Sequence, residues 1–247
     1  MMRFVLGTLF LSVNAFAGDF TSSATENALI AAQSEPELAD WIQTMIPVRN
    51  RAGLFYFPTK NLVQPEAQAL VLERLLRAED DSAVRVALAY ALDGSQLIPW
   101  EKIAAESDAK VRVAMIHLTK IHKGPDSSAL LVNALQDSST EVRAEAARLA
   151  GYLPLSPELA TTLKAHLSDS APDVRALSAR TLGWKADPET FEAIRPLLND
   201  PEAVVRNRAL QALANIDPVK TKAMPELAKL QDDSHVPLAK RAQRLAE

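Results

Sequence analysis

Asp81-Ser82-Ala83-Val84-Arg85 returns in altered form as Asp108-Ala109-Lys110-Val111-Arg112, and this recurrence decides the fold. The phrase is an acidic residue, a few small polar residues, then Val-Arg opening a run rich in Ala and Leu. It appears again as Asp137 leading to Val142-Arg143, Asp169 to Val174-Arg175 and Asp200 to Val205-Arg206. Successive Val-Arg pairs stand 27, 31, 32 and 31 residues apart. Self-similarity at that period marks stacked supersecondary units, each too small to bury its own apolar face.

Around each phrase the periodicity predicts two helices, one before the acidic residue and one beginning at Val-Arg. The first helices are expected at about 65–78, 96–106, 127–136, 157–168, 188–199 and 218–231. The second are expected at about 82–93, 109–122, 139–151, 171–182, 202–215 and 235–246. Ser156-Pro157-Glu158, Asp187-Pro188-Glu189 and Asp217-Pro218 place Pro at the first helical position. Gly94, Gly151 and Gly183 fall where second helices are expected to end. Asp233-Ser234-His235-Val236-Pro237-Leu238 aligns with Asp169-Ser170-Ala171-Pro172-Asp173-Val174, so Leu238 takes the Val slot and Ala239 the Arg slot. A solenoid's last repeat is expected to be atypical in this way.

Five residues before each Val, or Leu238, stands Glu79, Glu106, Asp137, Asp169, Asp200 or Asp233. A carboxylate there can satisfy backbone N–H groups at the helix start. Stacking would also bring it near the Arg of its own or the neighbouring repeat, as a charge-assisted ladder. Val142 with Ala146, Leu149 and Ala150 illustrates the stripe expected to be buried. The repeated Arg and acidic residues therefore read as a stacking device rather than a row of catalytic groups.

These residues resemble the short HEAT-like repeats also found in phycobilin-chromophore lyases and many bacterial proteins. The resemblance covers about residues 65–247 and leaves 18–64 outside. It implies an all-α fold, a right-handed α-solenoid of about six stacked HEAT-like helix pairs with an N-terminal helical cap. It also implies a surface for binding proteins, although the same fold serves unrelated functions.

The N-terminus reads as an export signal. Arg3 precedes an apolar run at 4–13, and Ala15-Phe16-Ala17 has the small-x-small form of a cleavage site. The run is far shorter than the roughly 20 residues of a membrane-spanning helix. Residues 1–17 are thus expected to be a signal peptide, 18–64 a cap segment with an aromatic loop, and 65–247 the repeat domain. Within the cap, Leu38, Trp41, Ile42 and Met45 predict a helix that stops before Pro47. Residues 48–65 do not look helical, and Leu54-Phe55-Tyr56-Phe57-Pro58 reads as an extended segment or a loop over the first repeat. The mature chain is expected to be a soluble periplasmic or secreted protein of bacterial type, without membrane insertion.

Of the 247 residues, 48% are hydrophobic and only 5% aromatic, with 7 Gly and no Cys. That balance suits short helices packed through small side chains and argues against a β-sandwich. The absence of Cys excludes thiol nucleophiles and disulfides. Few glycines leave little for a phosphate-cradling loop, and no Gly-x-Ser-x-Gly is present. The histidines are followed by Leu118, Lys123, Leu167 and Val236, so the iron-holding His-Glu pairs of deoxyhypusine hydroxylase-type HEAT proteins are absent. His117 and His122 fall on different helix faces, and no metal, cofactor or catalytic residue is expected. A net charge of −4 does not suit a nucleic-acid partner.

One row stands out. Six residues beyond each Val lie Tyr90, His117, Arg148, Arg180, Gln211 and Arg244, all large and able to hydrogen-bond. The position two beyond Val is mostly small or apolar, as Val86, Val113, Ala144 and Ala176, before Asn207 and Lys240. Trp100 and Trp184 are read as packing between layers. The chain is accordingly expected to be a non-catalytic interaction module or scaffold, binding a protein or peptide in a concave groove. The alternatives are a chromophore- or small-molecule-handling protein related to HEAT-like lyases, and a structural component of an envelope complex.

Overall fold

The computed structural model describes residues 97–120, 122 and 124–247, together with 48, 49, 55, 56, 72, 73, 76, 82, 85, 86 and 89. The expected signal peptide, the cap helices and Tyr90 lie outside these residues. Two-residue strands β1 (Val48–Arg49) and β2 (Phe55–Tyr56) pair antiparallel, with Val48 opposite Tyr56, so part of the aromatic stretch is extended. The chain divides into two compact units, Met1–Ile98 with Ala105–Ile121, and Pro99–Ala104 with His122–Glu247.

In the first unit, helix α2 (Ala109–Ile116) starts at Asp108, whose carboxylate accepts the Lys110 N–H, and runs into a 3-10 turn at His117–Lys120. The second unit begins with α1 (Trp100–Ala104) and then stacks four helix pairs. First helices are α3 (Pro125–Ala134), α5 (Pro157–Ala165), α7 (Phe191–Ile194) and the broken pair α9 (Pro218–Lys222) and α10 (Pro225–Leu230). Second helices are α4 (Thr140–Ala150), α6 (Pro172–Lys185), α8 (Ala203–Ile216) and α11 (Val236–Ala246). The architecture is an all-α solenoid of HEAT-like helix pairs, and α4, α6, α8 and α11 lie side by side in that order.

The buried stripe matches the phrase. Val142, Val174, Val205 and Leu238 are fully buried, as are Ala146, Leu149 and Ala150. Burying each such Val or Leu side chain contributes about 1.5–3 kcal/mol. Thr181 and Ser178 replace apolar residues in this stripe on α6. Thr181 donates to the Ala147 carbonyl at 2.7 Å, whereas the buried Ser178 hydroxyl finds no partner.

Two first helices depart from the expected spans, for the same reason. Residues 188–199 form a 3-10 turn at Pro188–Thr190, the short α7, and a second 3-10 turn at Arg195–Asn199, because Pro196 cannot donate within an α-helix. Pro225 likewise splits 218–231 into α9 and α10. Second helix α6 also overruns its expected end. It continues to Lys185 and stops at Ala186, whose φ of 51° is left-handed. Gly183 is therefore a buried interior residue, not a terminus, and a Cβ there would lie 2.4 Å from the Ala212 Cβ of α8. The glycine lets α6 and α8 approach closely. Gly151 does follow α4 as its C-cap residue, in right-handed conformation at φ −61°, and Lys185 Nζ from the next repeat donates to the Gly151 and Leu153 carbonyls at 2.9 and 2.6 Å, at and just beyond the helix end.

The acidic residue and the Arg form a ladder with one direction. Arg143 Nε and Nη2 donate to Asp169 at 2.8 and 3.0 Å, Arg175 to Asp200 at 2.7 and 2.9 Å, and Arg206 to Asp233 at 2.8 and 2.9 Å. Arg85 pairs with Glu106 in the first unit. Each side chain thus reaches the carboxylate of the following repeat. Its Nη1 stays home: Arg143 Nη1 donates to the Asp137 and Ser138 carbonyls at 2.9 and 3.1 Å, and Arg112, Arg175 and Arg206 repeat the arrangement. The carboxylate accepts the N–H two residues on, as Asp169 does from Ala171 at 2.8 Å. That residue is the N-cap of α6, so the carboxylate fixes the turn just outside the helix rather than the helix's own first N–H groups.

Candidate recognition surface

At 100° per residue, positions three, six and ten beyond each Val fall within about 60° of one another on a second helix, beside the buried stripe. On α4 they are Glu145, Arg148 and, just beyond the helix, Tyr152. On α6 they are Leu177, Arg180 and Trp184. On α8 they are Arg208, Gln211 and Asn215, and on α11 Arg241 and Arg244. All of these lie in one unit and none is buried.

Arg148 is engaged. Its Nε donates to Glu145 at 2.7 Å and its Nη1 to the Tyr152 hydroxyl at 3.3 Å, and the guanidinium lies 5.7 Å from the Tyr152 ring centre. The Glu145 hydrogen bonds hold the Arg148 pKa above its ordinary value. Arg180 is different. Its guanidinium stacks 4.0 Å from the Trp184 ring centre, and burial followed by the charge of Arg208 lowers its pKa, with Arg148 adding to the effect. Arg208 Nη1 donates to Gln211 at 3.1 Å. Arg241 Nε donates to Asn207 at 3.0 Å, and burial with the charges of Arg208 and Arg244 lowers its pKa. Arg244 is exposed and donates to the Lys240 carbonyl at 3.2 Å. Among the described residues, no carboxylate lies within ion-pair distance of Arg180, Arg208, Arg241 or Arg244.

The six residues singled out in the sequence therefore separate. Arg148, Arg180, Gln211 and Arg244 share this face of the second unit. His117 belongs to the first unit, half-buried at the C-terminal end of α2, and Tyr90 lies outside the described residues. The small position two beyond Val is not uniformly exposed: Ala176 is buried and Ala144 half-buried, with full exposure only at Lys240.

Sequence reasoning misses Arg208, Arg241, Tyr152 and Trp184. Their signal is present at positions three and ten, on either side of position six. An α6 ending at 182 would leave Trp184 in an inter-helix turn. The longer helix puts it one turn beyond Arg180 and leaves it 45% exposed. Its Cε3–Cζ3 edge packs on the preceding repeat, where a Gly151 Cβ would come within 3.2 Å, so the ring combines the expected interlayer packing with an exposed remainder.

Chemically, this face offers guanidiniums that can fork onto carboxylates, beside aromatic ledges. By contrast, the cleft of about 500 Å³ lined by Leu198, Asp200, Arg206 and Asp233 lies on the ladder, where Arg206 and Asp233 already satisfy each other. Among the described residues, no group of three His, Asp or Glu could hold a metal ion, and no helix is long and apolar enough to cross a membrane.

No curated protein matches the chain. A crystal structure of an engineered protein aligns with a TM-score of 0.53 at 19% identity, covering 91% of this chain and 68% of that one. A second engineered protein aligns with a TM-score of 0.48 at 22% identity, covering 74% of this chain and 95% of that one. The former likeness concerns the fold alone. Residues 159–246, spanning α5 to α11, match the HEAT repeats family, and this part of the stack is similar to HEAT repeats.

Proposed function

We propose that the protein is a non-catalytic interaction module that holds a protein or peptide partner against the face shared by Arg148, Arg180, Gln211 and Arg244 on α4, α6, α8 and α11, and that it works in the bacterial periplasm or outside the cell. HEAT-repeat solenoids commonly serve as protein-interaction scaffolds. The observation that carries the reading is the run Arg180, Arg208, Arg241 and Arg244, without carboxylate partners among the described residues, beside the exposed Trp184. Neighbouring like charges lower stability, and apart from the Arg241–Asn207 bond the run adds no tie between layers among the described residues, whereas the ladder arginines Arg143, Arg175 and Arg206 are each matched by a carboxylate. Arg and Trp are also the residue types that anchor interfaces. The location rests on the N-terminal sequence, with Arg3, the apolar run and Ala15-Phe16-Ala17.

The test is affinity capture of the tagged mature protein from its native cell envelope. The wild type should retain a stoichiometric protein partner, and Arg180→Ala combined with Arg208→Ala should lose it while keeping its helical circular dichroism. Undiminished capture by that variant overturns the assignment of the surface. A coloured or small-molecule co-purificate without protein overturns the module itself. Mass spectrometry of the exported chain should find an N-terminus at Gly18.

A further inference from the structure

The chemistry and spacing of this face identify the kind of segment it fits. Resting on the interaction reading above, we infer that the partner contributes an acidic segment in polyproline II conformation, carrying a carboxylate at every third residue and laid across α6, α8 and α11.

The argument is one of register. Arg180, Arg208 and Arg241 project from three consecutive second helices, with Arg244 beside Arg241. Packed helices lie about 8–10 Å apart, with α6 and α8 close together at Gly183 and Arg180 one turn along from the position that Arg208 and Arg241 share, so a segment crossing them meets a guanidinium at about that interval. A polyproline II helix has 3 residues per turn and rises about 3.1 Å per residue, presenting one face every 9 Å or so. A β-strand presents one face about every 6.7 Å, and misses the interval.

The surroundings favour the same occupant. The cationic run ends at α4, where Glu145 neutralises Arg148, so the site is short rather than an open-ended track for a polyanion. Beside that end stand Tyr152 and Trp184, 39% and 45% exposed. Aromatic ledges of this kind receive the pyrrolidine rings of Pro-rich segments, which are already extended and lose little entropy on binding.

The experiment is isothermal titration of the full mature protein with defined probes. A blocked peptide of repeated Glu-Pro-Pro triplets, four in all, has the required register. A blocked isomer with every glutamate at its N-terminal end and every proline after them has the same composition with its charges clustered. A helical Ala-rich peptide with Glu at seven-residue intervals and an oligothymidylate cover the other classes. The spaced peptide should bind about tenfold more tightly than its clustered isomer, more weakly as salt rises, and severalfold more weakly to Arg208→Ala or Arg241→Ala. Glu145→Gln should strengthen binding by releasing Arg148. Equal binding of the two isomers, or tighter binding of the helical peptide or the oligonucleotide, overturns the inference. No binding of any probe also overturns it. If affinity capture still yields a protein partner that depends on Arg180 and Arg208, the module reading stands without this register. If capture fails too, both fall.

Discussion

Arg175 clamps Asp200 of the following repeat through two parallel hydrogen bonds of 2.7 and 2.9 Å, while its third nitrogen holds the Asp169 and Ser170 carbonyls of its own turn. One side chain thus closes a turn and fastens two layers. The Asp200 side chain is 5% exposed, so its charge has little water to fall back on. Burial pushes its pKa up, but the hydrogen bonds from Arg175 and the Glu202 N–H outweigh that and hold it below the ordinary value.

Arg175→Ala removes the fork and leaves Asp200 poorly solvated. The expected cost is about 2–4 kcal/mol, measured by urea unfolding. Arg175→Lys should recover only part of it, because an ammonium cannot make both the bidentate contact and the return bonds.

Acid should weaken the stack. At Asp169, as at Asp200, burial is outweighed by hydrogen bonds from an Arg and a backbone N–H, and at Asp233 the Arg206 hydrogen bonds dominate. All three folded-state values are lowered. Their contribution is therefore present above the unfolded-chain value of about 3.9 and lost as pH falls through the still lower folded values. Urea unfolding across pH should show little change from these groups above about pH 5 and a decline below about pH 4. Asn at all three positions should flatten that decline.

Gly183→Ala should destabilise, although Ala is the better helix former by about 1 kcal/mol. The new methyl would lie 2.4 Å from the Ala212 Cβ, and overpacking of that kind costs about 1–3 kcal/mol. Ala212→Gly should relieve part of the loss. A thermal-melt double-mutant cycle over the two positions should therefore show coupling rather than additivity.

Trp184 and Val174 should separate binding from stability. Val174→Ala, at a fully buried position, is expected to cost about 2 kcal/mol. Trp184→Ala, at a position 45% exposed, should cost less than about 1.5 kcal/mol despite the larger deletion. Thermal unfolding checks the stability order. Partner capture should show the opposite order, with the Trp184 variant the more impaired.

The ladder and the candidate surface are legible in the sequence to different degrees. Five-residue spacing from acid to Val, with Arg next to the Val, makes a carboxylate–guanidinium ladder readable. It does not say whether Arg175 takes Asp169 of its own repeat or Asp200 of the next. Pro196 and Pro225 carry the signal for the broken first helices, yet helical periodicity masks it. On the second helices, Arg180 is readable, but Trp184 is missed when the end of α6 is placed before it. Gly183 reads as a terminus in the sequence, yet it is buried inside α6 against Ala212, a contact between residues of different repeats.

The period of the Val-Arg phrase is enough to establish stacked helix pairs and their buried stripe, because an apolar pattern at helical spacing specifies which face must leave water. Tertiary packing decides which charges meet across layers, whereas a pair within one helix, such as Glu145 with Arg148, follows local spacing. Arg148 is neutralised by Glu145 on its own helix, whereas Arg180 stacks on Trp184 and its pKa is lowered by burial and by the charge of Arg208 on the next helix. Local spacing governs burial, but electrostatic pairing follows distance in space, and side chains about thirty residues apart become neighbours only when the layers dock.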